Sequence, residues 1–105
     1  MPTAIPLPLD GIREACRRFD VAELAVFGSV LSNDFRPESD VDFLVTFLPG
    51  ADLGPWMSRF LDLQEELSAL TGRPVDLVER AAIEKSRNPF RKRQILGTAE
   101  VVYAA

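Results

Sequence analysis

The segment FGSVLSNDFRPESDVDFLV, Phe27 to Val45, carries two carboxylates, Asp40 and Asp42, separated by one residue. The run after them, Phe43 to Leu48, is apolar at alternate and intervening positions, as in an interior strand. Side chains at i and i+2 of a strand point the same way, roughly 6.6 Å apart along it. Like charges so placed repel, and desolvation raises the cost. The nearest basic residue in sequence is Arg36. A bound divalent cation is the simplest neutraliser, and two carboxylates so spaced can hold metal ions at the attacking and leaving oxygens of a phosphoryl-type transfer. A solvated strand start is the plainer alternative for the same residues.

Two further features point the same way. Gly28-Ser29 reads as a strand-to-helix turn. Glycine there lets a phosphate approach the backbone, the following N–H groups favour anions, and Ser29 adds a hydroxyl donor. Gly-Ser turns are common, so this signal alone is weak. Asp76 lies inside PVDLV, Pro74 to Val78, an isolated carboxylate in an apolar run on a second candidate interior strand. Glu79 competes less well for the role, at the expected strand end.

The elements that must position these groups follow from periodicity. Asp10 is expected to cap a helix running to about Phe19, with Ile12, Ala15, Cys16 and Phe19 on its inner face. Leu24–Phe27 reads as a strand, Val30–Asn33 as a short helix and Val41–Leu48 as the second strand. LPGADLGP is a loop. Trp56, Phe60, Leu63, Leu67 and Leu70 are spaced 4, 3, 4 and 3, an amphipathic helix with Trp56 in the core and Gly72 as C-cap. Pro74–Val78 is the third strand. Asn88-Pro89 opens a late helix ending before Gly97, and Glu100–Tyr103 is a final strand. The order predicts one α/β (α+β) domain over 1–105, with helices packed on a small mixed sheet.

Composition narrows the chemistry. With 105 residues, 47% hydrophobic and 27% charged, the chain has an ordinary globular composition. Its formal charge of −4 argues against direct nucleic-acid binding. There is no histidine and one cysteine, which removes Ser-His-Asp, Cys-His and His- or thiolate-ligated zinc sites. Any metal must sit on oxygen ligands, which favours Mg²⁺, Mn²⁺ or Ca²⁺. The single cysteine suits a reducing cytoplasm. The proline-broken N-terminus has no basic n-region, and no stretch approaches a membrane span.

Gly28-Ser29, ten residues from Val30 to Ser39, then Asp40-x-Asp42 and a later Asp76 resemble the signature of the DNA polymerase β-like nucleotidyltransferase superfamily. More narrowly the chain resembles its minimal nucleotidyltransferases, the MNT family, over most of its length. The resemblance implies the polymerase β-like fold and ATP bound with Mg²⁺ (or Mn²⁺). Gly28 and Ser29 would lie at the phosphates, with Asp40, Asp42 and Asp76 as catalytic carboxylates and metal ligands. Asp76 would also help activate the acceptor hydroxyl. It further implies a HEPN-domain toxin as partner, neutralised by transfer of AMP to a tyrosine, by binding, or both, in a hetero-oligomer or beside a homo-oligomer. A binding-only antitoxin with a degenerate site, and transfer to another acceptor, stay open. Members commonly read x-Ala-Arg-Gly after the Gly-Ser. Here Val30, Leu31, Ser32 and Asn33 stand instead, so the arginine charge is missing and Arg36 is the nearest substitute. The loop LPGADLGPW and the segment Lys85 to Arg93 are candidate partner contacts. The cluster Lys85, Arg87, Arg91, Lys92 and Arg93 could instead meet triphosphate or form a solvated face.

Overall fold

Pro8 starts the first helix. Its fixed φ suits a helix entry, and α1 runs Leu9–Arg18. Asp10 therefore does not cap it, contrary to expectation. It lies in the first turn, still favourable to the helix dipole, and pairs loosely with Arg13 at 3.7 Å. Ile12, Ala15 and Cys16 are buried as the periodicity predicts. The computed structural model describes residues 6–31, 36 and 39–105. Ser32 and Asn33, part of the expected short helix, lie outside the described residues.

After α1 come β1 (Val21–Phe27), a single 3₁₀ turn (Gly28–Leu31) and β2 (Val41–Phe47). Then follow α2 (Ser58–Thr71), β3 (Val75–Glu79), α3 (Arg80–Glu84), α4 (Pro89–Thr98) and β4 (Glu100–Ala104). The sheet order is β3-β2-β1-β4. β1 is antiparallel to both β2 and β4, whereas β2 and β3 are parallel and joined through α2. The expected mixed sheet with packed helices is what forms.

β2 is interior and divides its side chains between two cores. Val41, Phe43 and Val45 pack with α1 and α2, alongside Ile12, Leu63 and Leu67. Leu44 joins Ala25, Phe27, Ile83 of α3 and Ile95 of α4 on the opposite face. Burial on both faces holds through Val45 but not beyond. Thr46 is exposed, and Leu48 lies outside the strand and is also exposed.

Two elements depart from the periodic reading. α3 was not expected; it is a short helix bearing one buried residue, Ile83. Trp56 is 95% exposed rather than in the core. Helix α2 begins only at Ser58, and Trp56 and Met57 both adopt left-handed backbone (φ 56° and 60°). That turn swings the first member of the stripe off the helix. The remaining members behave as predicted: Leu63 and Leu67 are fully buried, and Phe60 and Leu70 pack at the margin. Gly72 closes the helix at φ 71°. Asn88 caps α4, its side chain accepting from the N–H groups of Phe90 and Arg91 at 3.1 and 3.2 Å. α4 then runs past Gly97 to Thr98.

Candidate active site

Asp42 and Asp76 are register partners on the adjacent parallel strands β2 and β3. Partners in a ladder point to the same face, with strands about 4.8 Å apart. The face is the one that Leu44 shares with α3 and α4. Asp40 precedes β2 by one residue and is exposed, as is Asp76, whereas Asp42 is half-buried. The Asp42 carboxyl is pushed up from 3.8 to about 6, first by burial, then by the charges of Asp76 and Asp40. The three sequence-predicted carboxylates thus act on one another.

β1 brings in the glycine turn. Phe27, the last residue of β1, pairs with Asp42. Gly28 follows at φ +78°, a conformation that side chains disfavour, and a Cβ built on it would run into the Asp42 carboxylate Oδ2. Glycine here is required twice, by backbone angle and by the aspartate. The chain then turns into the 3₁₀ segment, with Val30 buried as its anchor. The expected strand-to-helix turn exists, and it abuts the Asp42 carboxylate.

A cleft of about 930 Å³ opens between this turn and α4. Gly28 and Ser29 form one wall; Arg91, Gln94 and Thr98 line the other. Pockets for small-molecule ligands commonly run to several hundred Å³, so this volume suits a nucleotide. Of the five basic residues clustered between Lys85 and Arg93, only Arg91 lines this cleft. Lys92 and Arg93 border a separate depression with Leu96. Gln94 and Thr98 escaped the sequence reading. The available signal was their spacing from Ile95, the buried residue that turns this side of α4 inward.

The site is open. Among the described residues, no three acidic, histidine or cysteine side chains close into a metal cage. Arg36 does not visibly complete the site. Its backbone carbonyl accepts from Arg73 Nη1 at 3.3 Å, its N–H donates to Ser39 Oγ at 2.9 Å, and its guanidinium has no ion pair among the described residues.

Known proteins resemble the chain in sequence and in fold. Over 72 residues the chain is 39% identical to the protein adenylyltransferase MntA of Thermococcus cleftensis, covering 69% of each chain. It is 37% identical over 78 residues to MJ0128 of Methanocaldococcus jannaschii, provisionally named a protein adenylyltransferase, covering 74% of this chain and 72% of that one. A solved structure provisionally described as a minimal nucleotidyltransferase superposes with a TM-score of 0.66 at 29% identity, over 88% of this chain and 86% of that one. A toxin–antitoxin crystal structure with AMP-PNP shares the fold, with a TM-score of 0.66 at 20% identity over 94% of this chain and 75% of that one. The sequence pattern of the nucleotidyltransferase domain family matches residues 9–102, and the chain belongs to that family, among its minimal members.

Proposed function

We propose that this protein is a Mg²⁺-dependent adenylyltransferase that moves AMP from ATP to a tyrosine hydroxyl of a HEPN-domain toxin and so acts as its antitoxin in the cytoplasm. The observation that carries the reading is the register pair Asp42–Asp76, with Asp42 against Gly28, a residue that also lines the cleft, although the carboxylates themselves do not. Its relatives support a protein acceptor, and the tyrosine is what the family resemblance implies. One is a protein adenylyltransferase. A structure sharing the fold holds a tri-AMPylated HEPN toxin of Shewanella oneidensis with an MNT antitoxin.

The donor set fits magnesium. Burial first, then the charges of Asp76 and Asp40, pushes the Asp42 carboxyl up to about 6, a deficit that a divalent cation offsets. Asp40, Asp42 and Asp76, whose charges act on one another, would hold the ion. Bound there, magnesium would neutralise phosphate charge at the reacting centre. The chain's own groups do the rest. The N–H groups of the Gly28–Ser29 turn and the Ser29 hydroxyl orient the phosphates. Asp76, exposed on β3, receives the proton of the acceptor hydroxyl as its oxygen bonds to the α-phosphorus. The bond from that phosphorus to the bridging oxygen breaks, and pyrophosphate leaves. Positioning and charge neutralisation suffice for such a transfer, which agrees with a site that has no histidine.

A binding-only antitoxin is the second reading, favoured by Ser32 standing where the resembled family commonly carries an arginine. An assay with labelled ATP, Mg²⁺ and a HEPN-domain toxin separates the two. Transfer predicts label on a tyrosine of the toxin, lost with Asp42→Asn. Neutralisation without label, unaffected by that change, would establish binding alone.

A further inference from the structure

The cleft has one cationic wall residue, and its position is fixed by the fold. Arg91, Gln94, Ile95 and Thr98 fall at i, i+3, i+4 and i+7 of α4, one face of the helix. Ile95 is buried in the second core, which pins that face toward the sheet. Asn88 fixes the first turn through the N–H of Arg91 itself, at 3.2 Å. Across the cleft stands the Gly28–Ser29 turn. The Arg91 guanidinium has no carboxylate partner among the described residues, as is true also of Arg17, Arg36, Arg87 and Arg93, but it alone of these lines the cleft. Glu100 lies on the same rim without pairing with it.

We infer that Arg91 is a nucleotide-binding residue that grips the triphosphate from the α4 side of the cleft. The inference rests on the reading of the site as one that takes ATP. The charge argument runs from the carboxylates. Asp40, Asp42 and Asp76 already repel one another, and a triphosphate brings several further negative charges. A divalent ion offsets part of the total, and a guanidinium facing the opposite wall offsets more. Its planar fork of donors matches two phosphate oxygens at once. Lys92 and Arg93, one and two residues on, project to another side of the helix and contribute only long-range field.

The test is titration calorimetry of the purified chain with ATP and MgCl₂, for wild type, Arg91→Gln, Arg91→Lys and Arg93→Gln. Loss of a charge-assisted contact should weaken ATP roughly 10- to 100-fold in Arg91→Gln. Arg91→Lys should recover part of that loss, and Arg93→Gln should stay within about twofold of wild type, because it changes the same net charge at the wrong face. Arg91 is exposed, so the melting temperature without nucleotide should not move. ATP binding within about twofold of wild type in Arg91→Gln overturns the assignment and leaves the nucleotidyltransferase reading standing. So does equal weakening by Arg93→Gln. A wild-type chain that does not bind ATP with Mg²⁺ overturns both.

Discussion

The two ends of β2 each hold something that folding alone would avoid. At the start of the strand, Asp42 is a half-buried carboxylate beside two others. Beyond its far end, Trp56 stands 95% exposed on left-handed backbone. The first cost is electrostatic, the second conformational and hydrophobic. A crowded glycine stands near each, Gly54 against Ser58 Oγ at the second, but at the first the crowding group is a carboxylate and the glycine lines a cleft. Gly28 has given up its side chain to the Asp42 carboxylate, and a nucleotide-sized cleft opens alongside. At the Trp56 end the local hydrogen bonds are those of an ordinary loop, such as Gly54 N–H to Asp52 Oδ1 at 2.8 Å and Arg59 N–H to the Leu53 carbonyl at 2.8 Å. Strain marks function where independent groups are arranged around it.

The sharpest way to break the contrast is at the carboxylates. Asp42→Asn should abolish AMP transfer, lowering the rate more than 10³-fold, because it removes both a metal ligand and its charge. Asp76→Asn should lower kcat by roughly 10²–10⁴-fold, the usual share of a positioned base, while leaving toxin binding intact. Gel-based labelling and a pull-down measure the two. If both variants label the toxin at the wild-type rate, the carboxylate end is no more functional than the Trp56 end.

Gly28→Ala comes next in size. It imposes a side chain on φ +78° and drives a methyl into Asp42 Oδ2. A loss of about 1–3 kcal/mol is expected, which for a domain of this length is a fall of several degrees in Tm. The double variant Gly28→Ala with Asp42→Gly should recover most of the collision part but not the backbone part. A Tm unchanged in Gly28→Ala would mean that the turn and the aspartate are not in contact.

A smaller effect follows from titration. The Asp42 pKa in the folded chain, about 6, lies above its ordinary value of 3.8. The folded chain therefore binds that proton more tightly than the unfolded chain, and ionisation costs stability. The cost is fully present above pH 6 and fades as pH falls from about 6 to about 4. Allowing for solvent screening of a half-exposed group, it is on the order of 1 kcal/mol. Melts in chelator should show Asp42→Asn more stable than wild type at pH 7.5 and level with it near pH 4. Equal stability at both pH values would show that the carboxylate is well solvated.

Much of this was readable from residue order. The second strand, the glycine turn, the third strand with Asp76 and the Asn88 cap all follow from local rules, because strand alternation and capping act within a few residues. The pairing of Asp42 with Asp76 was not readable from spacing alone, since it depends on the parallel register between β2 and β3. Nor was the α4 wall of the cleft. Arg91 was visible as one of five clustered cations, but which one faces the turn is decided by Ile95, a tertiary contact. Trp56 misled because its spacing is perfect for a helix that starts two residues later. Asp10 misled because Pro8 makes the earlier start.

Trp56 supplies the smallest and most discriminating effect. Its side chain buries almost nothing, so replacing it forfeits little hydrophobic stabilisation. Its backbone, at φ 56°, is one that asparagine tolerates better than a bulky aromatic does. Trp56→Asn should therefore leave Tm unchanged or raise it, by a few tenths of a kcal/mol up to about 1. Asp42→Asn in chelator should also raise Tm at neutral pH. Both substitutions relieve a local cost, and stability alone cannot tell them apart. Activity can. Trp56→Asn should leave ATP affinity as it is in wild type, whereas Asp42→Asn removes metal-dependent binding. As the only tryptophan, Trp56 also reports on itself. Its emission should be that of indole in water and should not respond to ATP with Mg²⁺. A blue-shifted emission from the isolated chain, or a loss above about 1 kcal/mol in Trp56→Asn, would show that something covers this side chain in solution. The two ends of β2 would then both be sites.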